Sequence, residues 1–269
     1  MLAGMLLAGR VPAAPLSDYV RLLWYAEAWK PPHARERHMP DGSVNIIIPL
    51  RADARGAGAD GMVIGARSES SILSTARPIT LVGVHFKRGG ASPFLDLPVS
   101  ELANIAVPLG DVCGSTSRPL YERLLDAQGA ERRLELVERW LAARLVQRLR
   151  LPDPAILWAV RELEGRPRVQ VRDVSADVGR SARWFISRFA SDVGLTPKVF
   201  GRVQRFQRAL RRMHRSTDPD LADLAVSAGY FDQAHLTHDF HSIAGLTPTA
   251  YLASRTGHLN HVALSDAPA

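Results

Sequence analysis

Gly229-Tyr230-Phe231-Asp232-Gln233-Ala234-His235-Leu236-Thr237-His238-Asp239-Phe240, closed by Gly245-Leu246-Thr247-Pro248, decides how this chain is read, because the same plan occurs once more upstream. Leu224-Ala225-Val226-Ser227-Ala228 leads into Gly229 as Val174-Ser175-Ala176-Asp177-Val178 leads into Gly179. Phe189 answers Phe240, and Gly194-Leu195-Thr196-Pro197 answers the closing motif. In each copy a short helix is expected to end at the glycine, which tolerates the left-handed conformation of a tight turn. Ser181 and Asp232 are then placed to cap a second helix by accepting from its first backbone amides. Trp184, Phe185 and Phe189 face inward in one copy, Leu236 and Phe240 in the other, and the opposite faces stay free. Helix, tight turn and helix with an exposed polar face is an arrangement that reads DNA.

Between the copies, Pro197 to Arg215 reads as one amphipathic helix with Phe200, Val203, Phe206, Leu210 and Met213 inward. It holds seven basic residues and no acidic ones. A helix of that length spans about 28 Å, comparable to the roughly 34 Å between major grooves on one DNA face. The plain alternative is a small helical bundle with a solvated basic face. Two copies sharing turn, cap and closing motif favour DNA binding over it.

The rest of the chain agrees with such a partner. A net charge of +7 over 269 residues favours nucleic acid or an anionic membrane surface. The single Cys113 excludes an internal disulfide framework and a cysteine-built zinc site, fits a reducing, cytoplasmic setting, and reads as a buried small residue. Met1 to Ala8 is apolar but lacks a preceding basic region and soon meets Arg10, too short for a membrane span. It reads as a ragged start, with a signal peptide as the alternative.

Length alone favours two domains. From about Tyr19 to Pro108 the apolar runs are short and bounded by turn residues, as in Val44-Asn45-Ile46-Ile47-Ile48, Met62-Val63-Ile64 and Ile79 to Phe86. Arg51 to Gly61 reads as a loop and Pro40-Asp41-Gly42 as a turn. Leu134, Val137, Leu141, Leu145 and Leu149, with Trp140 beside them, form a helical stripe that can pack inward or pair with a second subunit. Pro152 and Pro154 end it. The expected fold class is α+β, with an N-terminal β-rich, cupin-like barrel with helices over 1–150 and an all-α domain over 154–255. A tail over 256–269 without clear period is expected to fray.

At the repeated segments the chain resembles the AraC/XylS family of transcription regulators, whose C-terminal domain carries two helix-turn-helix units joined by a long helix. The resemblance runs from about Pro154 to Leu252, and its most specific part is Gly229 to Phe240 with Gly245 to Pro248. It implies a first recognition helix presenting Ala182, Arg183, Ile186 and Ser187 to DNA, and a second presenting Gln233, Ala234, Thr237 and His238. Arg183 can donate twice to guanine and Gln233 can pair with adenine. Ser181, Arg188, Arg202 and His235 are the expected phosphate contacts, which position without reading sequence. Double-stranded DNA is the implied partner, with RNA polymerase, a small-molecule effector and a second copy through the 131–149 helix as further ones. No cofactor, metal or membrane is expected.

The family often has arginine where Ser187 and His238 stand, and an apolar residue where Arg180 stands. From Ser216 to Arg255 there is one Arg, no Lys and five Asp, so the first unit and the basic linker helix are expected to supply most of the affinity. His235, His238 and His241 recur every three residues, but such spacing walks around a helix and lacks the partners of a metal set. In the N-terminal half, Pro40-Asp41-Gly42, Val44 to Ile48, Gly83-Val84-His85-Phe86-Lys87 and Pro93-Phe94-Leu95 look like a sensor-type domain fused to such regulators. His33, His38 and His85 suggest a cupin metal site, yet the compact two-histidine and glutamate motif is absent. His85 could instead touch a ligand. An enzyme is the rival reading, but there is no phosphate loop, nucleophile elbow or paired metal motif. A nonspecific architectural DNA binder is the third.

Overall fold

A computed structural model describes residues 6–51, 58–147 and 151–264 of the chain. Its N-terminal half is built on a six-stranded antiparallel sheet. The order is β1 (Leu6–Arg10), β2 (Val20–Trp29), β7 (Ile79–Phe86), β4 (Asn45–Pro49), β5 (Met62–Ile64), β8 (Ala106–Pro108). A three-stranded sheet runs β6 (Ser71–Ser74), β3 (Arg35–His38), β9 (His261–Leu264). Alternate residues of the long strands point into one core: Leu23 and Tyr25, Ile46 and Ile48, Val82, Val84 and Phe86.

The expected barrel does not close. The sheet tapers from the ten residues of β2 to three each in β5 and β8, and its edge strands β1 and β8 pair with no common neighbour. Helices complete the cover instead: α1 (Leu109–Cys113), α2 (Ser117–Asp126) and α3 (Ala130–Gln147). Leu134, Val137 and Leu141 of α3 are buried in the same core as Leu23 and Tyr25, so the apolar stripe packs inward. Leu145 joins its margin, and Leu149 lies outside the described residues. Cys113 is buried as well, and burial pushes its thiol up to about 11, away from thiolate chemistry.

The C-terminal half is helical: α4 (Pro154–Gly165), α5 (Val171–Asp177), α6 (Ala182–Val193), α7 (Pro197–Arg215), α8 (Leu221–Ala228), α9 (Gln233–Ala244) and α10 (Pro248–Ser254). The hydrophobic core does not stop at Pro152 to Pro154. Phe185, Phe189, Phe200 and Val203 belong to the core of the N-terminal sheet, while Phe206, Leu210, Leu236, Phe240 and Tyr251 form a second core into which Met39 inserts. Among the described residues no helix is long and apolar enough to cross a membrane. None of their His, Cys, Asp and Glu residues form a group of three or more that could hold a metal ion.

Polar contacts seal the seam between the halves. Gln204 and Gln207 of α7 donate to the carbonyls of Asp41 (3.1 Å) and Pro40 (2.8 Å), and Arg37 donates to Ala244 O at the end of α9 (2.9 Å). Arg88 joins Asp41 O (2.7 Å) to Glu164 of α4 (3.0 Å). The tail also differs from expectation. Residues His261–Leu264 are not frayed but form β9, antiparallel to β3 with Val262 buried. A four-residue strand whose partner lies at the other end of the chain leaves no local period to read.

The tail strand brings His258 and His261 beside His33 and His38, around the buried Glu36. His261 Nδ1 lies 2.7 Å from Glu36 Oε1, and the His38 and His261 rings meet edge to face at 4.9 Å. Desolvation, with the His261 charge adding to it, pushes His38 down to about 4. The unfolded chain takes up that proton near the ordinary value of about 6.5. Stability is therefore full above that value and falls as the pH drops toward 4. Between pH 7 and pH 5 this one group should cost about 2 kcal/mol. Urea unfolding at the two pH values is expected to show that loss in the parent chain and a clearly smaller one in His38→Asn; equal losses in both would refute it.

Candidate nucleic-acid interface

The first helix-turn-helix unit is α5 and α6. Gly179, at φ +68°, makes the turn, and Ser181 Oγ accepts from the Trp184 amide at 3.2 Å to cap α6. Phe185 and Phe189 are fully buried and meet edge to face, and Phe189 meets Phe200 in the same way. That burial turns Ala182, Arg183, Ile186 and Ser187 to solvent on one face. Ile186, 47% exposed, is an apolar residue on that solvent face, of a kind that can meet a thymine methyl. Trp184 is only partly buried, and the Arg180 guanidinium sits 5.7 Å from its ring centre.

The second unit is α8 and α9. Gly229, at φ +97°, ends α8, and Asp232 accepts from the His235 amide at 2.7 Å to cap α9. Leu236 and Phe240 are buried, leaving Gln233, Ala234, His235 and His238 exposed together. Thr237 is half-buried, and its hydroxyl donates back to Gln233 O at 2.9 Å. His235, His238 and His241 are all exposed and form no metal set. Each unit thus presents one solvent-exposed face at the start of its second helix, the end that helix-turn-helix proteins direct toward a major groove.

The residues expected to touch phosphate fare unequally. Arg188 is held by Asp192 within α6 (2.9 Å), and Arg202 is ion-paired to the buried Asp239 of α9. Ser181 serves as the cap, and His235 packs edge-on against Tyr230 with rings 5.1 Å apart. Asp220 and Asp232 are helix caps and Asp239 is internal, so three of the five aspartates of the second unit are tied to its own backbone or to α7. Its acidity is largely architectural. Phe231, 86% exposed in the turn before α9, was not among the expected contacts, although its place beside the cap Asp232 marks it as part of the turn surface. His85, read as a ligand contact, lies 2.9 Å from Ser43 Oγ and 3.2 Å from Asp41 Oδ2 at the seam.

Comparison with known proteins gives two domain matches. A helix-turn-helix domain family matches residues 174–254, and a domain of unknown function (DUF6597) matches residues 10–108. A Streptomyces lividans protein described as an AraC-like transcription regulator is 26% identical over 231 residues, covering 75% of this chain and 73% of its own length. Among solved structures, ToxT from Vibrio cholerae O395 is 8% identical, covers 94% of this chain and 98% of its own, and superposes with a TM-score of 0.42. Vibrio cholerae ToxT bound to an unsaturated fatty acid gives 10%, 97%, 98% and 0.42.

The two turn glycines are not equivalent. A Cβ at Gly179 would meet nothing within 4 Å, whereas one at Gly229 would lie 2.2 Å from the Pro167 carbonyl. Gly179→Ala should cost about 1 kcal/mol, the left-handed penalty alone. Gly229→Ala should cost about 3 kcal/mol, since the Pro167 backbone must also move. Denaturant melts of the two variants test this ranking, and equal midpoints would contradict it.

Proposed function

We propose that the chain is a transcription regulator of the AraC kind, a reading that its helix-turn-helix match and its AraC-like relative support, and that it binds a specific double-stranded DNA site with both helix-turn-helix units. The observation that carries this reading is the pair of capped recognition helices, each with its inner face buried and its outer face free, one exposing Arg183 and the other Gln233. Arg183 suits guanine and Gln233 adenine. It is a regulator rather than an enzyme, working in the cytoplasm where the chromosome is reached. The first unit, with the basic face of α7, is the anchor, and the second refines sequence choice or meets RNA polymerase. A second copy docking on α3 would have to use its outer face, because Leu134, Val137 and Leu141 already serve the chain's own core.

Sites selected from genomic fragments by the purified chain provide the test. Arg183→Ala should weaken binding to such a site by about 1–3 kcal/mol and relax one base position, with Gln233→Ala costing less. A uniform, sequence-independent selection at physiological salt would defeat the specific-regulator reading. Intact binding in Arg183→Ala with total loss in Gln233→Ala would reverse the anchor assignment.

The N-terminal domain is read as the sensor. Support comes from a cleft of about 660 Å³ at the seam, lined by Tyr19, Arg21, Lys87 and Arg88 from one half and Leu157 and Arg161 from α4. A small effector with an acidic group would meet those cations and compete with Glu164 for Arg88. On this reading Arg88 couples the effector to the DNA-binding half. Arg88→Gln should then change affinity for the selected site by about fivefold or more without any effector, in the usual range of coupling energies. An unchanged affinity would remove Arg88 from the coupling.

A further inference from the structure

Between the two units, on the face of α7 turned away from the N-terminal domain, runs a groove of about 790 Å³. We propose that this groove seats the sugar–phosphate backbone of the DNA strand that crosses from one major groove to the next, with Arg168, Lys198 and Arg205 on its phosphates and Phe231 against its sugars. This rests on the DNA-binding reading above and adds a third contact region to it. Its residues come from three places, the α4–α5 connection, α7, and the turn before α9, so only the folded arrangement brings them together.

The first support is uncompensated charge. Among the described residues, the other cations of the groove wall are matched: Arg166 pairs with Glu162, Arg172 with Asp173, and Arg202 with Asp239. Among the described residues, no ion pair joins Arg168, Lys198, Arg205 or Arg208 to a carboxylate. Arg208 is consumed by four backbone carbonyls, those of Ala228, Leu163, Glu164 and Pro167. Its charge nonetheless adds to the site, and burial together with the neighbouring Arg205 and Arg211 pushes it down to about 10. A cluster of like charge that depresses the pKa of an arginine is one that an anion would stabilise.

The second support is the fixed position of Arg205. The Tyr230 hydroxyl, on a side chain 3% exposed, lies within hydrogen-bonding reach of both Arg205 and Asp239, so the three groups serve one another at the wall of the groove. Arg205 sits 5.2 Å from the Tyr230 ring centre. Burial, with the Asp239 charge beside it, pushes the Tyr230 phenol upward, which keeps it a donor. Asp239 is held by Arg202, and Arg205, with no carboxylate of its own among the described residues, presents its charge to the groove.

The third is Phe231, 86% exposed, which lines the same groove as these cations and stands two residues before Gln233. An exposed aromatic beside cations offers the apolar face of a deoxyribose a surface to pack on while the cations hold the phosphates on either side. Along α7, Lys198 and Arg205 are about 10 Å apart at 1.5 Å per residue, room for roughly three phosphates at 3.4 Å of duplex axis each.

The salt dependence of binding by the full chain, measured by fluorescence anisotropy on a selected duplex and on a random one, tests the proposal. Arg168→Ala and Lys198→Ala should each reduce the slope of log K against log salt by about 0.9, equally on both duplexes, and their combination by about twice that. Phe231→Ala should weaken binding with the slope unchanged. Hydroxyl-radical cleavage should show protected sugars between the two base-contacted segments, and the Arg168→Ala/Lys198→Ala pair should lose that protection. Both cations are exposed, so their variants carry the result even if Arg205→Ala disturbs Tyr230. Unchanged slopes, or protection that survives the double variant, with selective binding and Arg183 dependence intact, would overturn the groove alone. Absence of selective binding in the parent chain would overturn the groove together with the reading beneath it.

Discussion

The side-chain amides of Gln204 and Gln207, donating from the middle of α7 into the carbonyls of Asp41 and Pro40, hold the two halves of the molecule in one geometry. Both side chains are buried, at 2% and 1% exposed. A buried amide deprived of its acceptor costs about 1–3 kcal/mol, so the turn and the helix are bound to stay together. The helix they sit on is committed on its other faces too. Phe200 and Val203 enter the core of the N-terminal sheet, while Phe206, Leu210 and Met213 enter that of the second unit. Gly42, at φ +77°, lets the turn approach closely, since a Cβ there would lie 3.2 Å from the Gln204 amide nitrogen.

Both recognition helices inherit this fixation. Gly194 at the end of α6 packs on Ala66 and Val99 of the N-terminal half, and the end of α9 is held by Arg37 and Ser70 through the Ala244 carbonyl. The tail strand then returns to β3 and closes the loop. Helices fixed in advance lose less freedom on binding than helices joined by a flexible linker. The corollary is a rigid spacing. On the reading in which both units enter successive grooves, a helix of about 28 Å set against a groove repeat of roughly 34 Å would ask the DNA to curve toward the protein and would favour sequences that deform readily between the two contacted segments.

Much of this was legible in the residues, and the limits are physical. The repeat showed the units because their signals are local: Gly179 and Gly229 at left-handed turns, Ser181 and Asp232 as caps, phenylalanines at helical spacing. The stripe on α3 gave its inner face for the same reason. Closure of a sheet is not local. Strand patterns identify Val44 to Ile48 and Ile79 to Phe86 as strands, but whether the edges meet depends on the lengths of β5 and β8 and on helices arriving to cover the core. The β3 to β9 pairing lies beyond local reading altogether, as does the gathering of His33, His38, His258 and His261 around Glu36. Arg168 and Phe231 carry no pattern that singles them out; only the fold puts them on one groove.

Charge is where sequence counting and structure part most usefully. Counted along the chain, the second unit is acidic and α7 strongly basic, which suggests that one repels DNA and the other attracts it. In the folded chain Asp220 and Asp232 neutralise the positive ends of α8 and α9, where carboxylates belong. Asp239 faces inward onto Arg202. The same ion pair removes one cation from the surface of α7, and Gln204 and Gln207 show that another face of that helix is turned to protein. The two units are therefore less unequal in field than in count, because what DNA would meet is set by the cations left without carboxylate partners and not by the sum over each segment.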